Sequence, residues 1–527
     1  MSITFLSILF LLPIVLFLLT NLPISPFRHF STVTKIIQGS VLLTITGSAI
    51  GIFSLIYFGP TEINYFSVEE LGLTIRVDPL SMIMYSMIAV IAFVVVRFSK
   101  NYLDGEPNIH SFFRRLAFTL AFVQLLVISG NIATIFVAWV GTSIGLHSLL
   151  RFYPNRKKAM LAGRKKFIVA RIGDVSLLSA FLLIYLEFNS GNLTYIFGQL
   201  ASLSPSELSF NLELSAILIV FSAALKSVQV PFHGWLLDVM EAPTPVSALL
   251  HAGLLNAGPF LIIRFAFLLN IANSASYILI TVGALSALFG AIVATTQPSI
   301  KTSLAYSSIG HMGFTLMVSG FGVYSASLLH LVAHSFYKAH AFLSSGSVIE
   351  KVQTKYASEF TRLRKAGRMI VGTIVAVLLY TFIAFFWGID QTSPFQLLAI
   401  GGIIFLGILS MQINSFDSSN NGRSIIALII GSGVVINLFF FLERIVQLTI
   451  GTQVPGIRNA DVNLIAIISV VLLLFLMTVL MQLTFAQLRT GKYAKHLGIH
   501  LKNGLYFNLL FDKMMNSLSI KSENNAH

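Results

Sequence analysis

The sequence predicts an all-α membrane protein that crosses the bilayer many times. Its 527 residues are 56% hydrophobic and only 10% charged, with a mean hydropathy of +0.84. A soluble domain of this composition would expose large apolar patches and aggregate. Apolar runs long enough to span a bilayer as helices recur from one end to the other. A transmembrane barrel would show short alternating segments instead, so helices are the predicted element.

About fifteen spans of roughly twenty residues are predicted from these runs. Their predicted cores are 3–21, 36–58, 80–99, 112–130, 132–150, 167–186, 213–235, 246–269, 277–297, 302–320, 324–348, 369–387, 395–414, 424–446 and 462–486. The first run has neither a basic segment before it nor a small-residue cleavage site after it. We therefore expect it to be a retained helix rather than a signal peptide.

The loop charges predict the orientation. The segment "RFYPNRKKAMLAGRKKF" (151–167) is strongly basic and has no acidic residue, which predicts a cytoplasmic loop. The segment before residue 80 is acidic and is expected outside, which places the N-terminus outside and the C-terminus inside. These loops explain the net charge of +14 without nucleic acid. Six basic side chains are expected to face a cytoplasmic partner: Arg156, Lys157, Lys158, Arg164, Lys165 and Lys166.

Several kinds of chemistry are excluded or unsupported by the sequence. There is no cysteine, which excludes disulfides and Cys-ligated clusters within the chain. No phosphate-binding glycine motif and no nucleophile–base arrangement is present. We therefore expect no catalytic residue, metal or cofactor in this chain, and movement of protons or other ions as its function.

The stretch "LKSVQVPFHGWLLDVMEAPTPVSALLHAG" (225–253) places ionisable residues at membrane depth. Such residues are costly there and mark functional sites by default. Pro231 is expected to break the helix beside Lys226, as happens where membrane helices line a cavity. The alternative is a lysine that extends towards the membrane surface. Asp238 and Glu241 follow at the predicted inner mouth, and His251 lies about two turns into the next helix.

A second polar group lies further along the chain. Lys301 opens one predicted helix, and His330, His334 and Lys338 share one face of the next at i, i+4 and i+8. This stripe favours proton movement through bound water. A zinc site at HxxxH is the alternative, but the sequence shows no obvious third ligand. Two further ionisable residues, Arg171 and Asp174, are spaced to pair with each other.

Three of these motifs resemble a known family. "LKSVQVPFHGWLLDVMEAPTPVSALLHAG", "IKTSLAYSSIGHMGF" and "HLVAHSFYKAHAFLSSGSVI" are similar to the antiporter-like membrane subunits of respiratory complex I and of Mrp sodium/proton antiporters. The resemblance implies two inverted five-helix repeats with broken helices and a hydrated path along the membrane midplane. It also implies that Lys226 is the central lysine of this path, with Lys301, His330, His334 and Lys338 as connecting residues.

The chain departs from the family pattern beside Lys226. The family carries a glutamate after the tryptophan of the fifth span, where this chain has Val140, and a lysine near the second broken helix, where it has Gly388. Lys226 is therefore expected to find another counter-charge or to be neutral at rest. Glu241, Asp174 and Asp78 are the candidate carboxylates.

Within that family, "TSIGLHSLLRFYPNRKKAMLAGRKKFIVARIGD" and "YFNLLFDKM" resemble the DabB membrane subunits of bacterial DAB inorganic-carbon accumulation systems. This resemblance implies a multi-pass protein of the bacterial cytoplasmic membrane, driving uptake of CO2 or bicarbonate with a cytoplasmic DabA-like partner that holds the zinc. The alternatives are the proton-pumping subunit of an NADH- or formate-linked complex, an Mrp-type antiporter, and a passive anchor.

Four segments are expected on this basis. They are N-terminal membrane helices (1–77), an antiporter-like core (78–350), C-terminal membrane helices (351–486) and a cytoplasmic amphipathic tail (487–527). The basic tail is expected to lie along the inner membrane surface or to dock a partner, and its last ten residues could equally be solvated.

Overall fold

The computed structural model describes residues 3–345, 366–388, 393–418, 422–488 and 492–513, and these are mainly helical. The predicted all-α membrane fold is confirmed. The helices before the first break are α1 (Ile3–Leu19), α2 (Phe30–Phe58), α3 (Pro79–Tyr102), α4 (Ile109–Ile128), α5 (Ile132–Leu150), α6 (Lys157–Phe188), α7 (Leu193–Ser202) and α8 (Phe210–Lys226). Those that follow are α9 (Gly234–Asp238), α10 (Thr244–Leu249), α11 (Ala257–Arg264), α12 (Ala266–Ile271), α13 (Asn273–Ala294), α14 (Ile300–Gly320), α15 (Tyr324–Ser344), α16 (Ala366–Phe386), α17 (Phe395–Ser418), α18 (Gly422–Ile450), α19 (Val462–Leu488) and α20 (Lys492–Lys502).

Within the described residues, nine helices are long and apolar enough to cross a membrane, and three shorter apolar helices accompany them. Helices α14 and α15 each have 21 residues but are not among the nine. Their serines, histidines and lysines lower the hydropathy of both helices. The number of about fifteen spans therefore stays a prediction.

A β-hairpin precedes α3 where the sequence analysis placed only an acidic loop. Strands β1 (Thr61–Val68) and β2 (Leu71–Val77) pair antiparallel, with an irregularity between Asn64 and Phe66. The hairpin is fixed to the helices, because the Gly130 N–H donates to the Thr74 carbonyl at 2.8 Å. The β-branched residues Thr74, Ile75 and Val77 in "LTIRV" were the signal for the second strand.

The basic segment 151–167 is mostly helical, which corrects the expectation of a loop. Helix α6 begins at Lys157 and continues for 32 residues to Phe188. Its first ten residues, "KKAMLAGRKK", are mainly strong helix formers, so the helix extends beyond the apolar run. Lys165 and Lys166 therefore lie on a helix, and both side chains are buried.

The helix break predicted at Pro231 is present. Helix α8 ends at Lys226, Val228 has a left-handed φ of 61°, and α9 begins only at Gly234. A β-branched residue in this backbone conformation is unusual and is held by its surroundings. A second irregularity follows at Leu250–Leu254, which forms a π-helical turn that contains His251. Such turns often occur at functional sites.

Close contact between α13 and α14 depends on glycine. A Cβ built on Gly290 would lie 2.4 Å from the backbone nitrogen of Gly310, and one on Gly313 would lie 2.6 Å from the Gly283 carbonyl oxygen. Small residues of this kind let membrane helices approach backbone to backbone. The contact fixes the position of His311, which follows Gly310.

Residues 492–513 of the predicted tail pack against the rest of the protein, while the position of the tail at the inner membrane surface stays a prediction. Leu501 and Phe511 are 7% and 6% exposed and belong to the main apolar core. The Gln297 amide donates to the Lys502 carbonyl at 3.2 Å. Residues 514–527 of the predicted tail lie outside the described residues.

Candidate ion path

Lys226 lies at the break in α8–α9 and donates to three oxygen atoms of α5. Its Nζ is 3.0 Å from the Trp139 carbonyl, 2.8 Å from Thr142 Oγ1 and 2.7 Å from Ser143 Oγ. It also lies 4.4 Å from the centre of the Trp139 ring. The three acceptors are uncharged, so they fill the lysine's donors without neutralising its charge.

A cavity of about 20 Å³ adjoins Lys226, and Asp174 and Lys166 are among its lining residues. This volume is enough for one water molecule between polar groups. Asp174 is 5% exposed and forms an ion pair with Arg171, with a nitrogen–oxygen distance of 2.6 Å. Of the two candidate counter-charges whose side chains the structure describes, Asp78 and Asp174, it is Asp174 that lies beside Lys226. Arg171 and Asp174 pair as their spacing predicts.

Asp78 does not serve Lys226, which corrects one candidate. Its carboxylate lies 2.5 Å from Arg264 Nη1 and 2.7 Å from Arg76 Nε, and it caps α3 by accepting from the Ser81 N–H at 2.7 Å. Burial alone would raise the pKa of Asp78, but the two guanidinium groups and these hydrogen bonds hold the pKa below its ordinary value. Asp78 is an ion-paired anchor at the predicted outer end of α3.

Asp238 is joined to the basic start of α6. Lys165 Nζ lies 2.5 Å from the Asp238 carboxylate and also pairs with Asp512 of the C-terminal segment. Lys165 is 0% exposed, and Lys166, 4% exposed, donates to the Ser143 carbonyl. The expectation that Lys165 and Lys166 face a partner is therefore wrong, because both side chains are buried and bonded inside the chain.

Three predicted residues have no described side chain, and two others lie at the surface. Helical positions are given for Lys157, Lys158 and Glu241, but their side chains lie outside what the structure describes. Arg156 and Arg164 are exposed near the same end of α6. These two remain candidates for contact with a partner.

The second polar group begins with two lysines. Lys301 Nζ lies 3.3 Å from Thr244 Oγ1, which places α14 beside the start of α10. Lys338 Nζ donates to the Leu304 carbonyl and to Ser307 Oγ, both at 2.9 Å. Lys338 is 0% exposed, whereas Lys226 is half-buried. Both lysines donate only to uncharged oxygen atoms among the described residues.

The histidines lie together at the centre. His251 stacks on Phe342 with ring centres 4.3 Å apart, and neither of its ring nitrogens has a hydrogen-bond partner among the described residues. His330 Nε2 lies 3.1 Å from Nδ1 of His311. The ring of His334 is 4.8 Å from that of His311. The predicted stripe of α15 therefore meets a polar face of α14.

Sequence reasoning missed several members of this arrangement. His311 was visible in "SSIGHMGF", but no spacing relates it to the histidines of α15. Ser143 was hidden among small residues that normally serve helix packing. Glu443 of α18, which accepts from Ser325 Oγ at 2.6 Å, lies 118 residues from its partner. Only the packing of separate helices brings these groups together.

The arrangement can hold and pass protons. Lysine and imidazole side chains accept and release protons, and serine and threonine hydroxyls can both donate and accept hydrogen bonds. Two lysines without a directly bonded carboxylate and a cavity large enough for water suit this chemistry better than a sodium site, which needs clustered oxygen ligands.

Comparison with known families agrees with the fold. Residues 129–389 match the family described as NADH:quinone oxidoreductase/Mrp antiporter, TM. Residues 65–113 match the one described as NADH-Ubiquinone oxidoreductase (complex I), chain 5 N-terminus. The second match includes Asp78, and the first includes all the predicted path residues, which are Lys226, His251, Lys301, His330, His334 and Lys338.

Two bacterial relatives resemble most of the chain. The probable inorganic carbon transporter subunit DabB2 of Halothiobacillus neapolitanus is 34% identical over 449 residues, which are 84% of this chain and 80% of the relative. The probable inorganic carbon transporter subunit DabB of Hydrogenovibrio crunogenus is 35% identical over 75% of each chain.

The fold is also found in a solved structure. A chain of the Mrp complex from Dietzia sp. DQ12-45-1b matches with a TM-score of 0.66 at 20% identity, covering 99% of this chain and 60% of the other. An identity this low shows the fold alone. Taken with the 34% identity over four fifths of a DabB2 subunit, these matches show that the chain belongs to the DabB subunits, within the cation-translocating, antiporter-like family of complex I chain 5 and the Mrp antiporters.

Proposed function

We propose that this chain conducts protons across the bacterial cytoplasmic membrane as the membrane subunit of an inorganic-carbon accumulation complex. Similarity to the two DabB subunits supports the inorganic-carbon role, and the bacterial sources of both support the location. The single observation that carries proton conduction is the setting of Lys226. It lies at a helix break, bonded to uncharged oxygens, beside a cavity that also contacts Asp174.

The proposed route joins two groups of residues. From the outside, protons pass His330, His334 and Lys338 on α15, with Lys301 as a further connecting residue. They reach Lys226 by way of His251, whose π-helical turn adjoins the Lys226 cavity through Leu250. The proposed inner exit is near Asp238, where Lys165 joins Asp238 to Asp512 of the C-terminal segment, so that segment would have to move for protons to leave.

The proposed partner is a DabA-like cytoplasmic subunit that holds zinc and carries out carbonic-anhydrase-like hydration of CO2. The exposed Arg156 and Arg164 at the inner end of α6 are the proposed points of contact. Hydration of CO2 yields bicarbonate and a proton, and the charged bicarbonate stays in the cytoplasm. Proton flow down its gradient through this chain is proposed to supply the energy that keeps the partner's reaction in this direction.

The conduction proposal is tested by replacing Lys226 with alanine. Inorganic-carbon uptake that is sensitive to uncouplers is measured in cells lacking carbonic anhydrase, and Lys226→Ala is expected to abolish it. Lys100→Ala, an exposed lysine near the end of α3, is the matched control and is expected to retain uptake. Full uptake by Lys226→Ala, at equal membrane abundance, would reject the role given to Lys226.

The partner proposal is tested by purification. The tagged chain is solubilised in detergent, and its companions are identified by mass spectrometry and metal analysis. A large zinc-containing subunit is expected. Recovery of iron–sulfur and quinone-module subunits would instead support the redox-pump alternative, and recovery of the chain alone would contradict both.

A further inference from the structure

Three histidines from two helices lie close together, and one of them is buried. His311 comes from α14, while His330 and His334 lie one turn apart on α15. One ring nitrogen of each lies within 4.8 Å of the others, and the shortest separation, from His311 Nδ1 to His330 Nε2, is 3.1 Å. The third ligand that the HxxxH pattern lacked is therefore supplied by the neighbouring helix.

His334 has unused bonding capacity. It is 4% exposed, and neither of its ring nitrogens has a hydrogen-bond partner among the described residues. A buried polar atom without a partner costs free energy, so such groups are usually bonded to protein, water or a ligand.

A large cavity adjoins the same histidines. Its volume is about 610 Å³, and His311 and His330 lie in a wall that is otherwise mainly apolar. Ile403 of α17, Leu438 of α18 and Phe475 of α19 are on the facing side. A ligand bound to the three rings would therefore have an open position towards this space.

We propose that His311, His330 and His334 bind a zinc ion, with water from the cavity as the fourth ligand. Zinc takes imidazole nitrogens at 2.0–2.1 Å, which places two ligand nitrogens about 3.3 Å apart in a tetrahedron. The His311–His330 separation of 3.1 Å is already close to this value. The other separations are at most 4.8 Å, so they would need to shorten by up to about 1.5 Å. Three histidines and water form the open type of zinc site.

The charge of the ion needs compensation at this depth. None of the three ligands is negatively charged, so a zinc ion would bring two positive charges among neutral rings. Zinc lowers the pKa of a bound water towards neutrality, and the hydroxide form would offset one charge. The open cavity side gives the water the room that this requires.

Bound zinc would also stop proton transfer. His330 and His334 would use their lone pairs on the metal and could not take up protons. This consequence rests on the proposed function, whereas the binding itself does not.

The binding is tested on the full-length protein in detergent, with any subunit that copurifies. Zinc content is measured after zinc loading and gel filtration for the wild type, His311→Gln and His340→Gln. His340 is an exposed histidine of the same helix α15 and serves as the matched control. Wild type and His340→Gln are expected to hold one zinc ion more per chain than His311→Gln. Equal zinc content in all three would overturn the proposal.

A second measurement needs no variant. Cobalt(II) in a tetrahedral site gives characteristic visible absorption bands, which are expected when cobalt is added to the zinc-free wild-type protein. Absence of these bands would overturn the site even if His311→Gln fails to fold.

Zinc is expected to inhibit proton flux through the wild-type protein in proteoliposomes. In His311→Gln, the zinc concentration needed for the same inhibition is expected to be roughly tenfold higher. Zinc that binds without inhibiting would reject the path through these histidines and leave the metal site standing.

Discussion

Ser143 joins two lysines that come from different helices. Its hydroxyl accepts from Lys226 at 2.7 Å, and its backbone carbonyl accepts from Lys166. Because α5 presents both acceptors at one residue, the position of Lys226 depends on α5 as much as on the break in its own helix.

Replacement of Ser143 with alanine is expected to slow uptake without abolishing it. The substitution removes one acceptor of a charged donor, a bond worth about 1.5–3 kcal/mol, so a roughly tenfold or larger effect is expected. Ser143→Thr keeps the hydroxyl and is expected to restore uptake. Ser148→Ala, whose hydroxyl bonds only within α5, is the control. Equal loss in Ser143→Ala and Ser143→Thr would point to packing rather than to the hydroxyl.

Asp78→Asn is expected to destabilise the protein by about 3–5 kcal/mol, because it leaves Arg264 buried without its counter-charge. Thermal unfolding in detergent measures the change, with the exposed Asp104→Asn as the control.

The stabilisation by Asp78 is also expected to depend on pH. Since the pKa of Asp78 is held below its ordinary value, the wild type keeps this stabilisation above about pH 4 and loses it as the pH falls through the folded-state pKa. The difference between wild type and Asp78→Asn should therefore be constant from about pH 5 to 8 and shrink below about pH 4. A difference that grows as the pH falls would contradict the ion pair.

At the scale of elements, glycine sets the distance between α13 and α14. Gly290→Ala is expected to destabilise the protein by about 1–3 kcal/mol, because its Cβ would meet the backbone of α14. Gly431→Ala lies in α18 with nothing within 4 Å of the added Cβ, so it is expected to be neutral or slightly stabilising. Unfolding temperatures of the two variants provide the comparison. Equal temperatures would mean that α13 and α14 can separate without cost.

The elements that were predictable from sequence are those with a local cause. Pro231 removes a backbone donor and ends a helix wherever it lies, so the break was predicted. The extension of α6 was missed because charge was taken to mark a loop, although lysine and arginine favour helices. The ion pair of Asp78 joins residues 186 positions apart, and no spacing rule reaches that far.

At the scale of the whole molecule, residues 492–513 cover the end of the protein where the inner mouth is predicted. Residues of 492–513 contact α13, α14 and the broken helix, and a Cβ on Gly234 would lie 2.5 Å from the Asn508 side chain. Phe507 packs on His233 with ring centres 6.0 Å apart. This segment therefore covers the region where Asp238 was expected to meet the cytoplasm.

Lys165 is expected to hold the segment in place. Lys165→Met removes the cation between Asp238 and Asp512, so the two carboxylates repel each other and the segment should detach. Limited trypsin digestion at Lys502 is expected to become faster in Lys165→Met than in the wild type. Arg164→Met changes the exposed neighbouring residue and should leave digestion unchanged. Equal rates in all three proteins would show that the apolar contacts alone hold the segment.

The low hydropathy of α14 and α15 has a consequence for biogenesis. Neither helix is among the nine that are apolar enough to cross a membrane by themselves, yet both supply the central histidines and lysines. A helix of this kind partitions poorly into lipid when it leaves the translocon alone. We expect α14 to stay in contact with the glycine-containing face of α13 until α15 has been synthesised. Helices α14 and α15 are then expected to enter the membrane as a pair. The residues proposed to form the ion path are thus expected to make membrane insertion cooperative.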